Sequence, residues 1–216
     1  MKELQTILYN LFPYVEFICA IVGIIYYKRL KDTYWKWFVI YVVFIAIVEL
    51  INIYVLVHFP NNRKYYYGFF VIPIEFLFLY WLYAKKSLQS TKLYWISNTV
   101  YIAFYILNLF TLNQVRYISS MTYTVGVFIL AIMIYFEFMK QIKSDEILNF
   151  KTNKMFYINI AVMLFYIGTL PFFAYDKYLF ENMNELWENY KTFFLFSVNI
   201  MYILFIMSFL WGKPRV

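Results

Sequence analysis

Cysteine and histidine are almost missing from this chain of 216 residues, which has only Cys19 and His58. No intramolecular disulfide can form, and a metal site built from several cysteines or histidines is excluded. A membrane-embedded zinc protease would need the two histidines of an HExxH pair, and a single histidine forbids it. A Ser-His-Asp hydrolase would need a buried base, whereas His58 stands beside Phe59 and Pro60 at the mouth of an apolar run. Phosphate loops and glycine-rich dinucleotide motifs are absent, and residues 192–211 hold no lysine that could carry retinal. The chain is therefore expected to be no enzyme and to carry no cofactor and no metal.

Charge, glycine and proline are scarce as well. Only 14% of residues are charged, against 64% hydrophobic, which does not fit a surface facing water. Glycine and proline together number ten while Tyr and Phe number 24 and 25, so most of the backbone should be regular and satisfy its own hydrogen bonds. A closed barrel would alternate apolar and polar residues, and this chain does not. The net charge of +7 comes from short basic clusters between apolar runs, where it reads as membrane-orienting charge and not as a nucleic-acid footprint.

What is present is a series of apolar runs of about 20 residues, the length that crosses roughly 30 Å of hydrocarbon. They lie at 6–27, 37–57, 67–84, 93–112, 119–139, 155–175 and 192–211, and none contains Lys or Arg. The expected fold is all-α: one polytopic transmembrane domain of seven helices over 1–216. The amino-terminal run is longer and more polar than a signal-peptide core and carries Pro13 and Glu16, so it reads as a retained helix. Trp35, Trp37, Trp81, Trp95 and Trp211 fall at or beside run ends, where an indole has lipid for its ring and water for its N–H. Pro13, Pro73 and Pro171 are expected to kink their helices.

Basic residues are unevenly shared between the two sides. Lys28, Arg29, Lys31, Lys36, Lys85, Lys86, Lys92, Lys140, Lys143, Lys151, Lys154, Lys213 and Arg215 fall on one side. Lys2, Arg63, Lys64, Arg116, Lys177 and Lys191 fall on the other. The richer side is expected to be cytoplasmic, which puts the amino terminus outside and the carboxyl terminus inside. Abundant Lys, Ile, Tyr, Phe and Asn, as in chains from AT-rich genomes, favour a bacterial cytoplasmic membrane. Two connections exceed a turn. The stretch 140–154 includes Ser144-Asp145-Glu146, a helix start, then Ile147, Leu148 and Phe150, which could dock on a partner or lie on the membrane. The stretch 176–191 spaces Leu179, Met183, Leu186 and Trp187 as one short amphipathic helix resting on the outer surface.

Four runs carry one glutamate each: Glu16, Glu49, Glu75 and Glu137. The first three fall near mid-run, where an acidic residue costs roughly 2.5 to 3.5 kcal/mol, so they should face other helices. A carboxyl there is least costly when protonated and hydrogen-bonded to neutral partners. Asn52 lies one turn from Glu49, while Tyr94, Asn98, Tyr101, Tyr105 and Asn108 form a stripe on the fourth run. Asn159 and Tyr166 on the sixth run and Asn199 and Tyr202 on the seventh extend the set. Glu16, Glu49, Asn52, Glu75, Tyr101, Tyr105, Asn108 and Asn199 are the candidate ligand- or proton-binding residues. The plain alternative is interhelical glue worth about 0.6 kcal/mol per contact. Glu137, one turn from Lys140 near a run end, reads as an interfacial ion pair.

The stretch KMFYINIAVMLFYIGTLPFF at 154–173, preceded by SDEILNF at 144–150, resembles the sixth-helix region of an uncharacterised family of small bacterial seven-helix membrane proteins. An aromatic pair and a small polar residue open a helix that ends in G-T-L-P, with Phe156-Tyr157 where the family has Phe-Trp. In that family the gene often neighbours a sensor histidine kinase. The resemblance implies a regulatory or sensory membrane protein with a signalling partner, and carries over no catalytic residue. The leading expectation is a non-enzymatic sensor or signalling accessory with a polar intramembrane pocket, reaching a cytoplasmic partner through 140–154. A small proton-coupled carrier, such as a homo-oligomer, and a structural subunit of a larger membrane complex are the alternatives.

Overall fold

The computed structural model describes residues 2–111, 115–144 and 146–213, and nearly all of them are helical. The α-helices are α1 (Lys2–Leu30), α2 (Trp35–Tyr54), α3 (Pro60–Tyr66), α4 (Ile72–Tyr80), α5 (Thr91–Thr111), α6 (Val115–Lys143), α7 (Lys154–Val162), α8 (Leu170–Asn182) and α9 (Asn184–Trp211). Three π-helical segments, Tyr67–Val71, Trp81–Ser87 and Met163–Ile167, join or extend them. Among the described residues seven stretches are long and apolar enough to cross a bilayer: Lys2–Leu30, Trp35–Tyr54, Tyr67–Ser87, Thr91–Phe110, Ser120–Lys143, Lys154–Tyr175 and Asn184–Trp211. Each overlaps one apolar run of the sequence, and the chain is an all-α multi-pass membrane protein.

Helices outrun the apolar stretches. At about 1.5 Å per residue, the 29 residues of α1 exceed a hydrocarbon core of roughly 30 Å by two turns or more. Its charged Lys2, Lys28 and Arg29 sit in those end turns, where long side chains reach water.

The chain divides into two compact units, Met1–Glu49 with Gln141–Val216, and Leu50–Lys140. In the first, α1, α7 and α8 all pack on α9. Ile7, Leu11, Tyr14, Ile18, Ile21 and Ile25 recur every three or four residues on the exposed face of α1, while Gln5, Leu8, Glu16 and Cys19 are buried. Apolar side chains face out and polar ones in, the polarity that lipid demands as solvent. Gln5 Nε2 donates to Glu188 Oε2 at 2.8 Å and to Thr192 Oγ1 at 2.9 Å, clamping the first turns of α1 to α9. The Phe38 ring of α2 meets Phe205 edge-on at 5.1 Å and Phe209 at 5.4 Å.

In the second unit Phe76 is the packing centre, with Tyr80, Tyr101 and Tyr123 at ring separations of 6.0, 5.4 and 5.7 Å. A β-carbon at Gly126 of α6 would lie 2.6 Å from the Phe76 ring, so only glycine lets α6 approach this closely. The Tyr80 hydroxyl donates to the Gly126 carbonyl at 2.9 Å across the same contact.

Proline accounts for two of the three π segments among the described residues. Pro73 and Pro171 sit at the starts of α4 and α8, immediately after Tyr67–Val71 and shortly after Met163–Ile167. Proline has no N–H for the carbonyl four residues back and its ring clashes with that carbonyl, so the preceding turn opens. Pro13, by contrast, lies within the unbroken α-helical run of α1.

Two connections differ from the sequence reading. Residues 146–152 form a 3₁₀ segment interrupted at Asn149 (φ −104°, ψ 27°), with Leu148 and Phe150 exposed; Asp145 of the expected helix start lies outside the described residues. The single amphipathic helix expected over 176–191 is instead broken at Met183 (φ −139°, ψ 59°). The break accompanies contacts of the Trp187 ring of α9 with Phe180 at 5.2 Å and Phe172 at 6.0 Å, so ring contact between α8 and α9 takes the place of local helical continuity.

Gly126→Ala is expected to lower stability by about 1–3 kcal/mol through overpacking against Phe76, and Phe76→Leu in the same chain to restore part of it. Thermal unfolding in mild detergent checks this; an unchanged midpoint for Gly126→Ala would show that α6 does not need the close approach.

Candidate functional site

The eight candidate residues fall into both units. Glu16, Glu49 and Asn199 belong to the first, whereas Asn52, Glu75, Tyr101, Tyr105 and Asn108 belong to the second. Glu16 is 0% exposed on α1, and Glu49 and Asn52 are both buried, one turn apart on α2. Asn199 of α9 donates to the Leu8 carbonyl of α1 at 3.2 Å and to Leu195 of its own helix at 2.7 Å. That contact bonds two spans through a side chain, as interhelical amides do in membranes.

Within the second unit the stripe on α5 turns inward, with Asn98, Tyr101 and Asn108 buried. Glu75, half-buried on α4, immediately precedes Phe76, whose ring packs 5.4 Å from that of Tyr101, and Tyr105 is the next phenol along α5. The Tyr105 hydroxyl points at the Phe69 carbonyl, 3.5 Å away. Phe69 is four residues before Pro73, so this is the carbonyl that proline cannot answer. Asn108 Nδ2 stands 3.5 Å from Thr122 Oγ1. Glu75, Tyr101 and Tyr105 are thus brought together, with Asn108 about a turn beyond them.

The sequence reading missed a second cluster in this unit. Glu137 is 0% exposed, and the Ser87 hydroxyl donates to its Oε2 at 2.7 Å. Lys140 keeps the expected ion pair, but at 3.9 Å and from a partly exposed position. Its Nζ donates instead to the Ser87 carbonyl at 2.8 Å, at the end of the π segment Trp81–Ser87. Tyr83, on the same segment, is fully buried and near enough to interact with Glu137. Ser87 has a weak sequence signal, a hydroxyl closing a span; its distance of fifty residues from Glu137 has none.

Among the described residues several buried polar atoms have no hydrogen-bond partner. Asn159 of α7 is 0% exposed with neither amide atom answered. The same holds for the Tyr83 and Tyr101 hydroxyls and for Asn199 Oδ1. Each such group costs several kcal/mol in hydrocarbon by order of magnitude, so sites where they occur call for a reason. An amide offers donor and acceptor side by side, which suits a guest with a carboxyl, amide or hydroxyl group. A hollow of about 490 Å³ at the α8–α9 junction is lined by Met183, Asn184, Glu185, Leu186 and Asn189, none of them a candidate residue. Among the described residues no three His, Cys, Asp or Glu side chains converge as metal ligands. Comparison with protein-family models, curated proteins and solved structures gives no match.

Ser87→Ala removes the donor to a buried carboxyl and should cost about 1–3 kcal/mol, while Ser87→Thr keeps the hydroxyl and most of the stability. Thermal unfolding of both variants decides; equal midpoints for Ala and Thr would show that the bond contributes nothing.

Proposed function

We propose that this protein is a non-enzymatic membrane sensor or signalling accessory that recognises a small polar or lipidic ligand within its helices. The single observation that carries this reading is Asn159, fully buried with both amide atoms unanswered by the protein. Interhelical glue would spend those atoms on a neighbouring helix, as Asn199 spends its Nδ2 on Leu8. An unanswered amide at depth fits recognition better than glue, because intramembrane polar residues are retained for function when they do not stabilise. Glu16, Glu49 and Asn199 in one unit, and Asn52, Glu75, Tyr101, Tyr105 and Asn108 in the other, are proposed as further groups that bind ligand or protons.

The signal is proposed to leave through residues 140–154, where Ile142, Leu148 and Phe150 are exposed among Lys143 and Lys151. That face suits a cytoplasmic signalling protein, in keeping with the resemblance of 144–173 to proteins encoded beside sensor kinases. On this reading the basic side is cytoplasmic, the amino terminus is outside, and the host is a bacterial cytoplasmic membrane.

Asn159→Leu separates recognition from glue. As a recognition group its loss leaves the melting temperature unchanged or raised, and abolishes recovery of a cytoplasmic partner in pull-downs from native membranes. A fall of several degrees, or no partner recovered with the native chain, would sink the reading.

Orientation has its own test, helped by Cys19, the one native cysteine, being buried. With Cys19 shielded, Asn184→Cys should react with an impermeant maleimide in intact cells and Ser144→Cys only in inverted vesicles. The opposite pattern reverses the topology.

A further inference from the structure

Where the π segment Trp81–Ser87 ends, three oxygen atoms of the second unit converge on one cation. The Lys140 ammonium lies 2.8 Å from the Ser87 carbonyl oxygen, 3.2 Å from Ser87 Oγ and 3.9 Å from Glu137 Oε2. The Ser87 hydroxyl donates its proton to Glu137 Oε2 at 2.7 Å, which leaves the lone pairs of Oγ for the ammonium. Ser87 and Glu137 are buried, whereas Lys140 is partly exposed. The oxygens belong to the protein interior, and the charge between them comes in on a stem that water can reach.

The backbone prepares this point for positive charge. The Leu88 N–H donates to the Tyr83 carbonyl and the Ser90 N–H to the Ala84 carbonyl, both at 2.8 Å, and Gln89 takes a left-handed φ of 53° as the chain leaves the helix. Those bonds answer two of the last carbonyls, while that of Ser87 turns to Lys140. A helix end of this kind carries partial negative charge, and such ends, with the carbonyls of interrupted helices, coordinate monovalent cations in membrane proteins. One carboxylate fixes the charge, since a single positive charge neutralises Glu137 and a second would be left buried and uncompensated. The other lysines of the segment lie against rings, Lys85 5.4 Å from the Tyr94 ring centre and Lys86 5.4 Å from that of Trp81.

We infer that the Ser87 carbonyl, the Ser87 hydroxyl and the Glu137 carboxylate form a monovalent-cation site, which this chain fills with its own lysine. Because the ammonium is tethered, the site stays occupied whatever ions the medium holds. Without the lysine the site takes potassium or ammonium, which resemble its head in size and charge. The driving force is the buried carboxylate, which loss of Lys140 leaves uncompensated. A cation that binds there stabilises the folded state alone, because the three oxygens come together only on folding.

The test uses the full chain purified in dodecylmaltoside and reads the melting temperature in potassium, ammonium or choline chloride at one ionic strength, choline being too large for the site. The native midpoint is expected to be the same in each. Lys140→Ala should melt several degrees below the native chain in choline and recover about half of that loss or more, saturably, in potassium or ammonium. Folding of this variant only in potassium or ammonium would have the same meaning. Adding Glu137→Gln to Lys140→Ala should abolish the recovery. Lys140→Gln, a shorter neutral side chain of good helix propensity, should behave as Lys140→Ala does and replaces it if alanine does not fold at all. A variant midpoint that ignores the cation, a recovery that persists without Glu137, a native chain that responds as strongly, or failure of both variants to fold in potassium would overturn the proposal.

Discussion

Hydrocarbon offers a backbone carbonyl no hydrogen-bond donor, so each carbonyl within the membrane must be answered by the protein itself. Helices meet that demand everywhere except where their own pattern is interrupted, and those interruptions organise much of the polar interior. Pro73 withholds the N–H that Phe69 would have used, and the Tyr105 hydroxyl stands 3.5 Å from that carbonyl. At the end of Trp81–Ser87, where there is no proline, the Lys140 ammonium takes the Ser87 carbonyl. Side chains from neighbouring turns or helices thus complete what the backbone leaves open, and each repair brings a polar group to depth.

Packing between the spans follows a different rule from that of a soluble core. Lipid is as apolar as leucine, so no hydrophobic gain drives one helix onto another. Close fit and polar contacts must do it. Gly126 lets α6 approach Phe76, the Tyr80 hydroxyl reaches the Gly126 carbonyl, and Gln5 ties α1 to α9 through Glu188 and Thr192. Aromatic rings supply most of the remaining contact, as at Phe38 with Phe205 and Phe209. The wealth of Tyr and Phe, hard to explain in a water-soluble domain, is what such an interior requires.

Among the buried polar groups, satisfied and unsatisfied ones fall in different places. Gln5, Asn98 and Ser87 spend their donors on defined acceptors and behave as structure. Asn159, Tyr83, Tyr101 and Trp35 keep buried polar atoms that no group among the described residues meets. Those atoms make no hydrogen bond within the described residues and cost free energy, although the Tyr101 and Trp35 rings themselves pack against Phe76 and Phe38.

The number, placement and helical nature of the spans were determined by the sequence alone, because bilayer thickness is written locally, as about 20 apolar residues without a lysine or arginine. Burial of Glu16, Glu49, Asn52 and Asn199 was legible for the same reason, since lipid is too costly a neighbour for them. Glu137 and Lys154 were not: each lies near a span end, where a charged side chain ordinarily reaches water. Only the tertiary structure buried them, through Ser87 and Ser208, partners 50 and 54 residues away whose approach no local pattern records. The break at Met183 belongs with them, because the contacts of Trp187 with Phe172 and Phe180 exist only once α8 and α9 are packed. Span positions follow from single segments meeting lipid; which polar groups are answered follows from segments meeting one another.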